Sequence, residues 1–342
     1  MPEDRSASSR RPRLADVAAH VGLSPASVSL VLRGQPGPSQ ETRARVLEAA
    51  RVLGYRADRT ASLLARRRSG LFGLLVDVHS AFHAELVEHV HTAAERAGYD
   101  VVLSTTTRTR PEARAVETLL DFRCEALVLL GPEASAAALE ELDRTVPVVA
   151  VGRRVRPVLV DVVRSADDRG VALAVDHLVA LGHTEIAFVD GGRGTIAGDR
   201  RRGYREAMRR HGLADRVRVV PGDHTESGGA RAARQLVEQG RSASTAVLTS
   251  NDRAALGLMD VLIRSGVRVP QDVSVVGYDD SSLAQLAHVD LTSVNQDAQQ
   301  QAEGAVQAAM ERVEGQRAQA RELVLEPRLV VRGTSAGVRA GA

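Results

Sequence analysis

Three short stretches of this 342-residue chain carry residue types that could do chemistry. Gly191 to Gly194 follow an apolar run and resemble a phosphate loop, but they lack the lysine and spacing of a P-loop and the full dinucleotide pattern. Asp279 and Asp280 could serve as the acid and base of an α/β enzyme. Cys124 has apolar neighbours that favour a buried, inert thiol over a nucleophile. Because there is neither metal-ligand spacing nor a nucleophile-elbow pattern, the sequence predicts no metal site and no hydrolytic centre.

The motif with the clearest physical meaning occupies residues 14–32, where two short helical patterns meet at a tight turn. Gly22 permits the left-handed backbone that ends the first helix. Ser24 can cap the second helix, and Pro25 occupies its first position, where a missing N–H costs nothing. This pattern predicts a helix-turn-helix, whose second helix can lie in the DNA major groove. The predicted inward stripes are Leu14, Val17, Ala18 and Val21 in the first helix and Val28, Val31 and Leu32 in the second.

A third helix is predicted after the loop at 33–38, capped by Ser39 and ended by Gly54. Its inward stripe is Val46, Ala49, Ala50 and Leu53. Arg43 and Arg45 lie near its start and are either phosphate contacts or ordinary solvated arginines.

Charge is unevenly distributed along the chain, although the formal net charge is only +2. Residues 1–70 contain thirteen arginines and six acidic residues, which gives +7, whereas the remainder has 32 arginines against 37 acidic residues, which gives −5. The basic first fifth predicts an anionic partner.

Residues 1–12 are polar and rich in Arg, Ser and Pro, which predicts a disordered tail. A single cysteine, no signal-peptide pattern and no apolar run of membrane-spanning length predict a cytoplasmic protein without a membrane partner.

From residue 71 onward, apolar runs alternate with amphipathic helical patterns, and glycines follow the helices. Such βα alternation predicts parallel sheets with helices on both faces, and a stretch of this length suits two lobes with a cleft between them. The predicted strands are 71–78, 101–105, 126–130, 146–151, 158–163, 185–190, 246–250, 273–278 and 291–294. The main predicted helices are 83–97, 168–181, 200–211, 227–239 and 253–265.

In order and spacing, this sequence resembles the lactose-repressor (LacI/GalR) family. The resemblance implies an α/β fold, with an N-terminal helix-turn-helix headpiece and a two-lobed body like periplasmic binding proteins. It places the DNA-binding domain at 13–57, a hinge at 58–70 and an effector-binding and dimerisation domain at 71–340. The N-lobe is then 71–160 with 293–323, and the C-lobe is 161–292 with 324–340. The matching residues include Leu14-Ala-Asp-Val-Ala, Gly22-Leu-Ser24, Thr42-Arg43, Leu53-Gly54-Tyr55, His177 to His183, Gly203-Tyr204, Asn251-Asp252 and Val275 to Asp280.

The resemblance also implies which headpiece residues contact DNA. Leu30 stands where the family more often has Arg or His, so it would contact a thymine methyl or exclude a base, unless it is simply core. Direct readout should therefore be largely apolar, with Arg33 as the best polar reader. In the hinge, Leu64 matches a leucine that wedges into the minor groove, with Ala61 near the backbone, whereas a solvated linker is the alternative. The implied DNA-binding set is Ser24, Pro25, Ala26, Ser27, Ser29, Leu30, Arg33, Arg43, Ala61 and Leu64.

For the cleft, the resemblance implies a site for a small-molecule effector, a carbohydrate or a derivative of one. Arg and Asp side chains can bind sugar hydroxyls in paired hydrogen bonds, and Phe82 can stack on an apolar sugar face. Asn251-Asp252 could instead cap a helix, and His83 could be a solvated helix-start residue. The implied effector-binding residues are His79, Phe82, His83, Arg200, His224, Asn251, Asp279 and Gln296.

Together these observations predict a homodimeric, effector-controlled DNA-binding regulator of transcription, a repressor, which needs no cofactor and is not an enzyme. Coupling between cleft and hinge would make operator affinity depend on the effector. Two other classes fit the same body. A sugar-binding transport protein would not have the basic headpiece, and an α/β enzyme would turn over a sugar bound near Asp279 and Asp280.

Overall fold

The computed structural model describes residues 12–32, 35–55, 68–238 and 244–338. The chain divides into two compact units, Met1–Ser69 and Gly70–Ala342. Three predicted DNA-contacting residues, Arg33, Ala61 and Leu64, lie outside the described residues, as do most of the predicted hinge and tail.

The first unit contains three helices, α1 (Leu14–Val21), α2 (Pro25–Leu32) and α3 (Gln40–Val52). Gly22 has φ 67° and ends α1, and the chain turns by 105° between α1 and α2, as a helix-turn-helix requires. The predicted caps are confirmed, because Ser24 Oγ accepts the N–H of Ser27 at 3.1 Å and Ser39 Oγ accepts that of Thr42 at 3.2 Å. The buried core of this unit is Val17, Ala18, Val21, Val28, Val31, Val46, Ala49 and Ala50.

The second unit alternates strands and helices as predicted. Its strands are β1 (Leu71–Asp77), β2 (Asp100–Thr106), β3 (Ala126–Leu130), β4 (Val148–Val151), β5 (Asp161–Ser165), β6 (Ile186–Val189), β7 (Arg218–Val220), β8 (Ala246–Thr249), β9 (Ser274–Asp279), β10 (Thr292–Asn295), β11 (Glu322–Leu325) and β12 (Arg328–Val330). Its helices are α4 (Ala81–Arg96), α5 (Glu112–Asp121), α6 (Ala136–Asp143), α7 (Asp167–Ala180), α8 (Thr195–Arg210), α9 (Glu226–Glu238), α10 (Asp252–Arg264) and α11 (Ala298–Val313), with a short 3₁₀ turn at Ala214–Arg216.

These strands form two six-stranded sheets, one in each lobe. The N-lobe sheet has the order β11-β5-β4-β3-β1-β2 and is parallel throughout. The C-lobe sheet has the order β12-β10-β9-β8-β6-β7, and only the pairing of β12 with β10 is antiparallel. Central strands such as β3 and β4 are buried along their whole length, which explains their continuous apolar sequences.

The chain passes between the lobes three times, but each passage comes a few residues later than the predicted boundaries at 160, 292 and 323. β5 belongs to the N-lobe, because its buried Asp161 pairs with Arg312 and Arg317 and its Arg164 pairs with Glu322, all in the C-terminal part of that lobe. β10 lies in the C-lobe sheet, and β11 remains in the N-lobe sheet through Leu325. The boundaries implied by the resemblance therefore lie a few residues too early, because β5, β10 and β11 each complete their pairing before the chain changes lobe.

Helices α9 and α10 of the C-lobe pack at backbone distance. A Cβ built on Gly257 would lie 1.8 Å from the carbonyl oxygen of Glu226, and one on Gly229 would lie 1.9 Å from that of Ala254. Only glycine fits at these two positions without displacing a helix.

The two histidines at the ends of the 177–183 stretch have structural contacts. His177 Nε2 lies 2.9 Å from Ser335 Oγ, and His183 Nε2 lies 2.9 Å from the carbonyl oxygen of Ala336. Both residues therefore bind the C-terminal segment to the C-lobe.

Candidate functional site

A cavity of 670 Å³ lies between the two lobes, and all eight residues predicted for the cleft line it. His79, Phe82 and His83 come from the loop after β1 and the start of α4, on the N-lobe side. Arg200, His224, Asn251 and Asp279 come from the C-lobe, and Gln296 follows β10 at a passage between the lobes. The residues are far apart in sequence, and they meet because the strand ends of both sheets face this cavity.

Arg200 on α8 is held by several partners in the cavity wall, and it is only 4% exposed. Its Nε donates to Asp167 Oδ1 at 2.8 Å, and its Nη1 donates to the carbonyl oxygen of Ser250. Its guanidinium carbon lies 3.7 Å from the centre of the Tyr278 ring, and Asp279 Oδ1 lies 3.7 Å from Nη1. Burial opposes the charged form, but the adjacent carboxylates, led by Asp167, raise the pKa of Arg200 overall, so it stays a cation.

Asp279 ends β9 in a strained backbone conformation with φ 114°. Gln296 Nε2 donates to its Oδ1 at 2.7 Å, which joins this strand end to the passage after β10. Burial raises the pKa of Asp279 well above its ordinary value, although Arg200 opposes the shift. The carboxyl group is thus a desolvated hydrogen-bonding group held beside a fixed cation.

His83 and His224 approach the cavity from opposite lobes, and both are uncharged at neutral pH. Burial lowers the pKa of each to about 4, and the charge of Arg200 adds to the effect on His224. His83 Nδ1 accepts the backbone N–H of Asp77 at 3.2 Å, which leaves Nε2 as the nitrogen that carries the proton. Each neutral ring offers a ligand one donor or acceptor without adding charge.

The remaining predicted residues have other partners as well as the cavity. Asn251 caps α10, because its Oδ1 accepts the N–H of Ala254 at 2.9 Å while its Nδ2 donates to the carbonyl of His224 at 3.1 Å. Phe82 is 7% exposed and belongs largely to the N-lobe core. His79 is exposed at the rim.

Three arginines and two glutamates of the cavity were not predicted from the sequence, namely Arg110, Arg153, Arg193, Glu112 and Glu133. They follow the carboxyl ends of β2, β3, β4 and β6, the edge at which ligands of parallel sheets bind. A search of the loops after each predicted strand for charged residues would have found them.

Polar side chains also join the two lobes directly, near the cavity. Arg253 on α10 donates to the carbonyl oxygen of His79, and Glu85 on α4 accepts the backbone N–H of Ser282. Arg154 Nε lies 3.4 Å from Asp199 Oδ2. The lobes are thus in direct polar contact around the cavity.

Two of the groups considered for enzyme chemistry, Asp280 and Cys124, are explained by their surroundings. Asp280 accepts hydrogen bonds from Asn295 at 2.8 Å and Arg332 at 2.6 Å, so its carboxylate is already paired. Burial raises the pKa of the Cys124 thiol to about 11, which keeps it protonated. Within the described ranges, no cluster of three His, Cys, Asp or Glu residues could hold a metal ion.

In the first unit, the predicted DNA-contacting side chains lie at the start and on the outer face of α2. Ser24, Pro25 and Ala26 are exposed, Ser27 and Ser29 are partly exposed, and Leu30 is 38% exposed. Leu30 is therefore not core, which leaves it available to a partner. On α3, Arg43 donates to the carbonyl oxygen of Gln35, and Arg45 Nη2 donates to that of Val21 at 2.9 Å, so both arginines also support the fold of the unit.

Among the described helices, none is by itself long and apolar enough to cross a membrane. Helices α1 and α2 reach the length and apolar composition of a membrane span only when taken together, and a bend of 105° separates them. Their apolar residues form the core of the first unit.

Comparison with known proteins agrees with both units. The family "Bacterial regulatory proteins, lacI family" matches residues 13–58, and "Periplasmic binding protein-like domain" matches residues 175–335. The HTH-type transcriptional regulator reg1 of Streptomyces lividans is 35% identical over 339 residues, which cover 95% of this chain and 96% of that protein.

Two solved structures are similar over nearly the whole chain. A lac repressor dimer bound to operator and the anti-inducer ONPF is 30% identical, with a TM-score of 0.82, and the match covers 96% of this chain and 100% of that one. The transcriptional regulator CelR–cellobiose complex is 32% identical, with a TM-score of 0.70, and the match covers 95% and 100%. The chain belongs to the LacI family of bacterial DNA-binding transcriptional regulators, and it is a regulator rather than an enzyme.

Proposed function

We propose that this regulator is a homodimeric repressor whose operator affinity is controlled by a carbohydrate or carbohydrate derivative bound between its lobes. The observation that carries the proposal is the convergence of Arg200, Asp279 and Gln296, from separate elements, on one 670 Å³ cavity. A cavity of this size suits a small molecule, and a few fixed polar groups among apolar walls would orient it.

The chemistry of these side chains suits a ligand rich in hydroxyl groups. Arg200 is a fixed cation, Asp279 is a buried acceptor held beside it, and the two neutral histidines add polar contacts without charge. Phe82 supplies an apolar surface at the cavity wall. The CelR–cellobiose complex supports a sugar ligand for this fold.

DNA binding is proposed for the exposed part of α2 in the first unit. Pro25, Ala26 and Leu30 would contact base edges in the major groove through apolar surfaces, while Ser24, Ser27, Ser29 and Arg43 would contact phosphates. Arg33 would supply a polar base contact, and Leu64 with Ala61 would act in the minor groove at the centre of the operator. Operator binding would then occur on the nucleoid, in the cytoplasm.

Control of DNA binding would follow from the position of the lobes. A ligand that changes the angle between the lobes changes the spacing of the two N-lobes in a dimer, and so the ability of the paired hinge segments to order on DNA. Coupling of this kind typically amounts to about 1–3 kcal/mol, or 5–150-fold in operator affinity.

The effector is tested with the full-length protein in a thermal-shift screen against a carbohydrate library, because a ligand of the folded state raises the melting temperature. A ligand found in this way is then added at saturation to an operator selected from random duplex DNA. We expect operator affinity to change by about 5–150-fold. An unchanged affinity at saturation would refute effector control.

Base reading by α2 is tested with a matched pair of variants. Leu30→Arg should shift the selected operator toward guanine at one position of each half-site, because arginine binds guanine through two hydrogen bonds. Leu47→Arg on α3 adds the same charge at a residue that is 55% exposed, and it should leave the selected sequence unchanged. Identical operators from Leu30→Arg and the parent protein would exclude this role of Leu30.

A further inference from the structure

Three arginines in the cavity, Arg110, Arg153 and Arg193, have no carboxylate within ion-pair distance in the parts of the chain that the structure describes. They follow β2, β4 and β6, so two come from the N-lobe and one from the C-lobe. Arg110 and Arg153 are partly buried, and Arg193 is exposed. By contrast, the buried Arg164 and Arg200 and the partly buried Arg312, Arg317 and Arg332 of the same unit are paired with carboxylates. In the described part of this unit, Arg110 and Arg153 are therefore partly buried arginines without an ion pair.

The protein holds two of these arginines with neutral acceptors alone. Arg110 Nη2 donates to Thr118 Oγ1 at 2.8 Å and to Ser104 Oγ at 3.1 Å. Arg153 Nη1 donates to the carbonyl oxygen of Pro132 at 2.6 Å. The Nε atoms of both arginines are buried and lack a hydrogen-bond partner in the described chain. Neutral acceptors fix their orientation, and in the described chain neither guanidinium has a carboxylate within ion-pair distance.

The acidic residues of the cavity have other partners. Asp77 Oδ1 accepts the N–H of His79 at 2.9 Å, and Asp279 is held by Arg200 and Gln296. Both oxygens of Glu112 accept backbone N–H groups, at 2.6 Å and 3.3 Å.

The fourth acid, Glu133, is exposed. It lies near enough to favour the charged form of Arg153, as does Glu112, but burial outweighs both and lowers the pKa of Arg153. A ligand that approaches Arg153 can therefore add favourable negative charge.

The C-lobe side of the cavity also offers hydrogen-bond donors. Helix α8 begins after Gly194, which has φ 111° and provides no side-chain cap, and Thr195 to Ala197 line the cavity. The first-turn N–H groups of a helix favour an anion, and Arg193 immediately precedes them. Both sides of the cavity thus present hydrogen-bond donors to an anionic group, from Arg110 and Arg153 on one side and from Arg193 and the start of α8 on the other.

We propose that the effector of this regulator is an anionic sugar derivative, whose carboxylate or phosphate group pairs with Arg153, while Arg110 and Arg193 add to the attraction. The proposal rests on the proposed function of the cavity as the effector site, and it narrows the ligand class. A guanidinium binds a carboxylate or a phosphate through two parallel hydrogen bonds, so either group satisfies the same chemistry.

The test is isothermal titration calorimetry of the full-length protein with two matched ligand sets, one based on glucose and one on galactose. Each set consists of the neutral hexose, its uronate and its 6-phosphate. Inorganic phosphate is a further probe. At least one anionic member should bind about tenfold or more tightly than its neutral parent, and added salt should weaken that preference. The uronate and phosphate arms distinguish the two sources of the charge.

Variants of Arg153 test whether this residue causes the preference for anionic over neutral ligands. Arg153→Gln should bring the ratio of anionic to neutral affinity toward one, and Arg153→Lys, which keeps the charge, should retain part of it. Arg108→Gln is the matched control, because Arg108 is exposed and does not line the cavity. Thermal melting of each variant without ligand establishes that it is folded.

The proposal is overturned if neutral hexoses bind as tightly as their anionic derivatives, if no anionic probe binds, or if folded Arg153→Gln keeps the full preference. Operator binding is measured separately. If an anionic sugar binds through Arg153 without changing operator affinity, the proposed function fails and this inference stands. If a neutral sugar changes operator affinity and no anionic sugar does, the proposed function stands and this inference fails.

Discussion

The pairing of Arg200 with Asp167 predicts a large and non-additive effect on stability. Arg200 is 4% exposed and Asp167 is 2% exposed, so water does not screen the 2.8 Å contact between them. Arg200→Met would leave Asp167 buried without its cation, and would also remove the cation beside Asp279. Loss of one partner from a buried pair costs about 3–5 kcal/mol of unfolding free energy.

Replacement of both partners should cost less than the sum of the single changes. In Arg200→Met/Asp167→Leu, no unpaired charge remains at the pair, and two apolar side chains occupy similar space. Residues in contact show coupling of about 0.5–3 kcal/mol, and the high burial here favours the upper end. Arg202→Met on the same helix is the control, because Arg202 is 41% exposed and its partner Asp199, at 2.7 Å, keeps Arg154 at 3.4 Å as a second cation. It should cost less than about 1 kcal/mol.

Urea unfolding followed by far-ultraviolet circular dichroism measures these differences, since the chain has no tryptophan to serve as a fluorescent probe. Two results would refute the reasoning. One is a cost below about 1 kcal/mol for Arg200→Met, similar to that of Arg202→Met. The other is a double variant whose cost equals the sum of the two single costs, which would mean that the contact contributes no coupling.

Three further predictions concern both units. Gly257→Ala should destabilise the C-lobe by about 1–3 kcal/mol or more, since its Cβ would meet the carbonyl of Glu226 at 1.8 Å, and an unchanged urea midpoint would contradict this. Ser39→Ala should lower the stability of the first unit by about 1 kcal/mol through loss of the α3 cap, whereas Ser39→Asp should retain it, as measured by helix content on heating. His83 and His224 have pKa values of about 4 in the folded state, below the ordinary 6.5, so the unfolded chain binds more protons between these values and stability should fall as pH decreases from 6.5 toward 4. His83→Gln should reduce this fall in melting temperature, and a fall identical to that of the parent protein would contradict the assignment.

The sequence was most informative where local rules determine structure. Gly22, Ser24 and Ser39 end or begin helices through their own backbone freedom or side-chain oxygen, and the structure shows each in its predicted role. Long apolar strands such as β1 and β3 were also found, since strands buried on both faces have nearly continuous apolar sequences.

The sequence was least informative where a residue depends on a distant partner. β5 contains Asp161 and Arg164, which are buried only because α11, the turn after it and β11 provide opposite charges far along the chain. The short edge strands β7, β11 and β12 have too few apolar residues to form a pattern. For these strands, the decisive interactions are made between residues that are remote in sequence.

The candidate site shows the same division. The eight cleft residues implied by the family resemblance all line one cavity, but the resemblance gave no indication of Arg110 or Arg153. The sequence indicated Asn251 as a helix cap, which the structure shows, but it did not reveal that the Nδ2 of Asn251 donates to the carbonyl of His224, because that contact depends on the close approach of a distant loop.

Because each lobe is built from separate parts of the chain, neither lobe can be completed until late in synthesis on the ribosome. The N-lobe begins at β1, but its core needs α11, whose alanines and Val306 pack on the sheet, and its edge needs β11. The nascent N-lobe therefore exposes an apolar face throughout synthesis of the C-lobe, which in turn is completed only by β12. Both lobes depend on the last part of the chain to leave the ribosome, so a premature stop before β11 would leave both sheets unfinished and their apolar surfaces open to aggregation.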